Sequence, residues 1–307
     1  MSGILLGSLS EDQVSRCLAG AGLGLEIGSF RALIRSDTGQ LTAPLHLLYR
    51  DFVCDPDATG FFDFRINLMR KREFPWRAWK VEFDWEGSTP FPPLPITQAH
   101  PLFEWGLNWC VATASGMHTV IHSAVVERNG LALVLPGQPG SGKSTLCAAL
   151  ALGDWRILSD ELTIIAHADG QVQPVPRPVS LKGTSIDLIR KAFPAADITD
   201  PIEDTHKGSI AYARPPTAAV RSVGETVPVG FLVFPKFKAG TSLVYEPLPR
   251  AVALAELMDN TFNIGLLGAE GFEALARAIA GAKCYAVEYG DLDSIVDWVN
   301  STCIPKC

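Results

Sequence analysis

Gly137-Gln138-Pro139-Gly140-Ser141-Gly142-Lys143-Ser144 fits the pattern G-x-x-x-x-G-K-[ST], in which a glycine-rich backbone curls around phosphate oxygens and offers them its N–H groups. The flanks supply the context this pattern needs. The apolar run 131–135 leads in as a buried strand, and Ser144-Thr145-Leu146-Cys147-Ala148-Ala149-Leu150 leads out as a helix. In that frame Lys143 reaches the β- and γ-phosphates of a nucleotide and the Ser144 hydroxyl ligates Mg²⁺, so ATP or GTP with Mg²⁺ is the expected ligand. Gly137, Gln138, Pro139, Gly140, Ser141 and Gly142 form the cradle, and Thr145 is either one more contact or a packing and capping residue.

Downstream, Trp155-Arg156-Ile157-Leu158-Ser159-Asp160-Glu161 reads as a short buried strand closed by two acids. These acids come early. In ordinary P-loop NTPases the metal-associated Asp follows at least one further strand–helix unit, whereas one helix separates Lys143 from Asp160. A right-handed crossover through that helix sets the two strands parallel, and their C-terminal ends bring Asp160 and Glu161 to the phosphates. Upstream, the apolar-rich run 118–127 and the turn pair Asn129-Gly130 predict a β-hairpin into the loop. A two-residue turn sets Arg128 opposite Leu131 and hence His122 opposite Gly137, where the imidazole is either a strand packing residue or a partner of phosphate or acid.

This series of a strand histidine, a hairpin, a P-loop, one helix and an acid pair resembles the kinase domain of the HPr kinase/phosphorylase family. His122, Gly137-Gln138-Pro139-Gly140-Ser141-Gly142-Lys143-Ser144 and Asp160-Glu161 occupy the matching places, and Pro176-Arg177-Pro178-Val179-Ser180-Leu181-Lys182 resembles a motif of the HPr kinase-related kinase A branch. The resemblance covers roughly 118–190 well and extends weakly to the C-terminus. It implies an α/β fold, a P-loop kinase domain of the HPr kinase/PEP carboxykinase-like type. It also implies an ATP-dependent kinase for a serine hydroxyl of a peptide or small protein, as in relatives that modify lasso-peptide precursors. By the same resemblance Asp160 accepts the attacking serine's proton, Glu161 helps with metal, and Lys182 stands at the family's arginine. Lys207, in a Lys-Gly typical of the related branch, is either a phosphate contact or an exposed lysine. The departures are chemical. The family's Asp-Asp is Asp160-Glu161 here, and the Glu-x-Arg-Gly of HPr kinases is Ser180-Leu181-Lys182-Gly183, without a metal-binding carboxylate and without the arginine fork. These changes leave open a small-molecule kinase, or a nucleotide-sensing module that transfers nothing.

With 307 residues, 47% hydrophobic, the chain is long enough for one large or two moderate domains. We expect a mixed α+β accessory domain over 1–100, with half-buried strands near 61–66 and 79–85, and the nucleotide-binding domain over 101–307. The proline-rich stretch 90–101 marks the boundary. A formal charge of −7 argues against a nucleic-acid partner. The basic clusters at 65–72 and 77–80 read as solvated faces, with Arg70, Lys71 and Arg72 meeting an acidic substrate as the alternative. No apolar run suggests a membrane span and the start does not resemble a secretory signal, so a cytoplasmic location is expected, with homo-oligomerisation open. Seven cysteines without Cys-x-x-Cys give no metal or redox signature, and Cys303 and Cys307 are expected as free surface thiols. A helix over 102–115 is expected to pack Trp105 and Trp109 inward, with stacking on an adenine as the alternative, and 193–207 reads as a loop suited to a lid. A strand at 229–234, a helix at 272–279, a strand at 284–288 and a helix at 292–299 complete the chain.

Overall fold

Asn129 and Gly130 turn the chain at the centre of the molecule. Both have positive φ, 54° and 77°, the type I′ geometry whose twist suits a two-residue hairpin. The strands on either side, His118–Arg128 and Leu131–Pro136, pair from Arg128 with Leu131 to Ser123 with Pro136. His122, expected opposite Gly137, lies one residue beyond the last pair, and its N–H donates to the Asn260 carbonyl. The computed structural model describes residues 3–72, 74–114, 116 and 118–304.

The hairpin lies inside an eight-stranded mixed sheet. Leu131–Pro136 pairs in parallel with Val229–Phe237, which pairs in parallel with Lys283–Tyr289, and Val244–Pro247 closes that side antiparallel. On the other side, His118–Arg128 pairs antiparallel with both Arg156–Ser159 and Leu162–Ala166. The strand before the glycine loop and the strand before the acid pair therefore run parallel, with the long hairpin strand between them. Side chains alternate faces along each strand, and here both faces are apolar. Ala124, Val126, Leu133, Leu135, Phe231 and Val233 pack against helices Lys143–Leu152 and Leu292–Thr302. Val125, Ala132, Val134 and Leu232 pack against Arg250–Asp259 and Ala269–Ala278. The molecule is thus mixed α/β, with helices on both faces of its central sheet.

A seven-stranded sheet forms the N-terminal part. The strand expected at 79–85 is Lys80–Trp85, whereas the one expected near 61–66 begins only at Phe64 and runs on to Lys71. Its core does not stop at residue 100. Leu25, Ile34, Ile66 and Phe83 share one apolar cluster with Leu102, Phe103 and Leu107 of helix Ala99–Ala114, and with Val120, Leu162 and Ile164 of the central sheet.

Three local expectations change. The stretch 193–207 is not a plain loop, because Ile202–Thr205 pairs with Gly208–Ala213 in a three-stranded sheet completed by Val179–Lys182. Its acidic residues had concealed the strand, since most of them point to solvent. Cys303 is not a surface thiol but is 1% exposed beneath the last helix, and burial pushes its pKa up to about 12. Cys307 lies outside the described residues, as do Met1, Ser2 and the Ser115 end of the expected 102–115 helix. The strand expected to run through 161 ends at Ser159, and a new strand begins at Leu162.

Candidate active site

The break between those two strands creates the acidic corner. Arg156–Ser159 and Leu162–Ala166 follow the same edge of one partner strand, with a register shift between Ile157 and Ser159. Asp160 and Glu161 sit in the bend between the ladders, so neither side chain is bound to strand alternation. The glycine loop arrives from the neighbouring strand. Gly142 has φ +92°, and a Cβ there would overlap the Tyr289 hydroxyl, so only glycine fits. Lys143 starts the helix that follows, whose first N–H groups face the loop.

A cleft of about 530 Å³, within the usual range of small-molecule sites, opens over this junction. It is lined by His122, Pro139, Gly140, Gly142, Lys143, Ser144, Thr145, Asp160, Glu161, Lys182 and Lys207. Gly137, Gln138 and Ser141 form the base of the loop and do not line the cleft. Thr145 faces the cleft, which packing alone would not require. Sequence reasoning gave no site role to Ser185, Phe237 or Tyr289, which also line the cleft. They lie in segments whose pattern signals only strand or helix.

Asp160 is 3% exposed. Burial, and then the neighbouring Glu161 charge, raise its pKa to about 6, although the Ser180 N–H, Lys182 and Ser144 pull the other way. The Ser180 N–H donates to Oδ2 at 3.0 Å, while Oδ1 is buried without a hydrogen-bond partner. The Lys143 ammonium donates to the carbonyls of Gly137 and Gln138. Burial lowers its pKa, and Asp160 opposes that shift. Lys182 Nζ lies 3.9 Å from Glu161 Oε1. His122 is held toward its neutral form by burial and then by Lys143, and its ring stands edge-on to Phe262.

Lys207 sits at the tip of the hairpin that replaces the expected loop. Its ammonium lies 5.0 Å from the ring centre of Trp105, and His206 packs edge-on against the same ring. Trp105 therefore borders the site and is only half-buried, while Trp109 packs against Trp85 and Phe91. The basic residues 70–72 stand apart on the N-terminal sheet, where Arg70 pairs with Asp37 and Lys71 with Glu82.

The donors fit a hard cation held jointly with phosphate. Ser144, Asp160 and Glu161 present oxygen only, and the unpartnered Oδ1 of Asp160 has capacity to spare. Among the described residues, no group of three or more His, Cys, Asp or Glu comes together as a metal cage. Mg²⁺ does not need one, because it takes one or two carboxylates and completes its shell with phosphate oxygens and water.

No protein-family model matches the chain, and no curated protein is significantly similar to it. Among the described residues, no helix is long and apolar enough to cross a membrane.

Proposed function

We propose that the chain is a P-loop kinase of the HPr kinase-like type that transfers the γ-phosphoryl group of ATP to a serine hydroxyl of a peptide or small protein. The observation that carries this reading is the convergence on one cleft of the glycine loop with Lys143, the bend with Asp160 and Glu161, and two further lysines, 182 and 207. A triphosphate entering the loop would draw the Lys143 ammonium from the Gly137 and Gln138 carbonyls to its phosphate oxygens. Asp160, with a pKa near 6, is ionised at neutral pH and still basic enough to accept the proton of an attacking hydroxyl. The serine oxygen–phosphorus bond forms as the bond to the departing ADP oxygen breaks, and the proton passes to Asp160. Lys182 offsets charge on the transferring group, with one ionic contact where an arginine would offer a fork. Bound at Ser144 and Glu161, Mg²⁺ would supply Lewis-acid neutralisation of the phosphates and leave Asp160 free to take the proton.

Incubation with γ-labelled ATP, Mg²⁺ and serine-containing peptides, each paired with its serine-to-alanine version, tests the assignment. Label that appears as phosphoserine and is lost from the alanine peptides is expected. Binding of ATP without transfer to any hydroxyl would leave a nucleotide-sensing module instead.

A further inference from the structure

Glu161 sits in a bend between two ladders, so its backbone does little to aim a long carboxylate. Its aim comes from elsewhere. Oε2 accepts a hydrogen bond from Asn108 Nδ2 at 2.5 Å, across from helix Ala99–Ala114. An amide can present either end, and Arg177 makes the choice: its Nη1 donates to Asn108 Oδ1, which leaves only the NH₂ end to face Glu161. The other arm of Arg177, Nη2, bonds the Glu104 main-chain carbonyl at 3.0 Å and the Glu104 carboxylate at 2.5 Å. Glu104 in turn accepts from the Tyr49 hydroxyl at 2.8 Å, with His100 Nε2 3.3 Å away. Tyr49, His100, Glu104 and Arg177 are all at least nine-tenths buried.

Stability alone is a weak reason for such an arrangement. Replacing a buried ion pair with apolar residues of similar volume is often neutral or stabilising, because desolvation offsets the attraction. What the pair does supply here is a fixed planar fork. It holds Asn108 in one orientation, and Asn108 holds Glu161 in one.

We propose that Asn108, oriented by the buried Glu104–Arg177 pair, is a positioning residue that aims the Glu161 carboxylate at the cation of a bound metal–nucleotide complex. The proposal rests on the kinase reading and adds the device that sets its metal affinity. It also makes the geometry of the nucleotide cleft depend on a residue of the N-terminal core, Tyr49.

The test uses the full chain and Mn²⁺ as the probe, followed by electron paramagnetic resonance in the presence of a non-hydrolysable ATP analogue. In Asn108→Leu, which keeps the bulk and removes both ends of the amide, the Mn²⁺ Kd is expected to rise by about tenfold, the usual cost of losing a partner that orients a metal ligand. Affinity for the analogue in the presence of a chelator should stay within about twofold. For transfer, the half-saturating Mg²⁺ concentration should rise in parallel, and kcat at saturating Mg²⁺ should recover most of its wild-type value. A merely structural Asn108 would instead lower the amount of active protein and leave the metal requirement where it was. Arg177→Lys retains the charge opposite Glu104 but lacks the fork, and should shift the metal requirement the same way by a smaller factor; it also decides the matter if Asn108→Leu does not fold. Unchanged Mn²⁺ affinity in a folded variant, with wild type binding the complex normally, would overturn the positioning role alone. Failure of wild type to bind Mn²⁺ with the analogue would overturn the kinase reading and the positioning role with it.

Discussion

At the scale of single residues, Asp160 is where stability and the proposed chemistry oppose each other. Its pKa lies above that of an exposed aspartate, so the folded state holds the proton more tightly than the unfolded chain. The stabilising effect of that proton is fully present below about pH 4 and is lost as pH rises through about 6. At about 1.4 kcal/mol per pH unit, keeping the charged form buried at neutral pH costs about 3 kcal/mol. Asp160→Asn removes that charge and keeps an acceptor for the Ser180 N–H. We therefore expect it to raise the melting temperature at pH 8 by several degrees and to cut phosphoryl transfer about 10²–10⁴-fold, with ATP affinity within a few fold of wild type. Thermal melts and single-turnover transfer measure the two halves. A variant that lost ATP binding in proportion would make Asp160 a metal anchor and place the base elsewhere. Transfer by wild type should fall with decreasing pH, reaching half its plateau near pH 6, because the ionised carboxylate is the reactive form. A profile flat from pH 5 to 8 would remove Asp160 from the role of base. Lys182→Ala should lower kcat on the order of 10²-fold with little change in nucleotide Kd, the mark of a contact made in the transition state, and Lys182→Arg should keep much of the rate.

Among the elements, the glycine loop is tied down by its packing. Gly142 combines a left-handed backbone with the Tyr289 ring of the parallel strand Lys283–Tyr289, and the Ser141 carbonyl accepts from the Phe237 N–H at 3.1 Å. The loop is thereby fastened to two strands far away in sequence. Gly142→Ala is expected to abolish measurable ATP binding in calorimetry, while Gly140→Ala, with open space around its Cβ, should suffer only from backbone strain of about 1–3 kcal/mol. Equal loss in both variants would mean that the Tyr289 contact is irrelevant. The hairpin Ile202–Thr205 and Gly208–Ala213 shows the limit of pattern reading. Asp204 and Glu203 are exposed on it, and register shifts between Ile202 and Thr205, so neither alternation nor apolarity announces a strand. The Asn129-Gly130 turn was legible because its two residues specify both the turn type and the register of everything that follows it.

Across the whole molecule, the apolar core and the buried polar chain both cross residue 100. Leu102, Phe103 and Leu107 belong to the N-terminal core, and Tyr49 reaches the Glu104–Arg177 pair next to the acid corner. Residues 101–307 produced alone would expose that apolar face and leave a buried pair without its tyrosine. We expect this fragment to bind a hydrophobic dye and to lack a cooperative urea transition, whereas the full chain should unfold in a single step. A folded, monomeric 101–307 with a sharp transition would show instead that the boundary at 100 separates independent domains.

The sequence by itself determined whatever depends on neighbours along the chain. The glycines of the loop, the lysine and serine that end it, the type I′ turn and the position of Asp160 one helix later are all local, because turn chemistry and hydrogen-bond periodicity act over a few residues. That was enough to bring His122, Lys143, Ser144 and Asp160 to one expected site, which Lys182 joined only by the family resemblance. Tertiary structure alone decided which distant groups complete the site. Asn108 reads as one polar residue on an apolar helix, and Arg177 as one charge between prolines. Nothing in either segment shows that a carboxylate 53 residues from Asn108 would be its partner. Such contacts arise from packing a helix of the N-terminal core against the central sheet, where the buried Glu104 and Arg177 and the half-buried Asn108 take partners that the local sequence does not name.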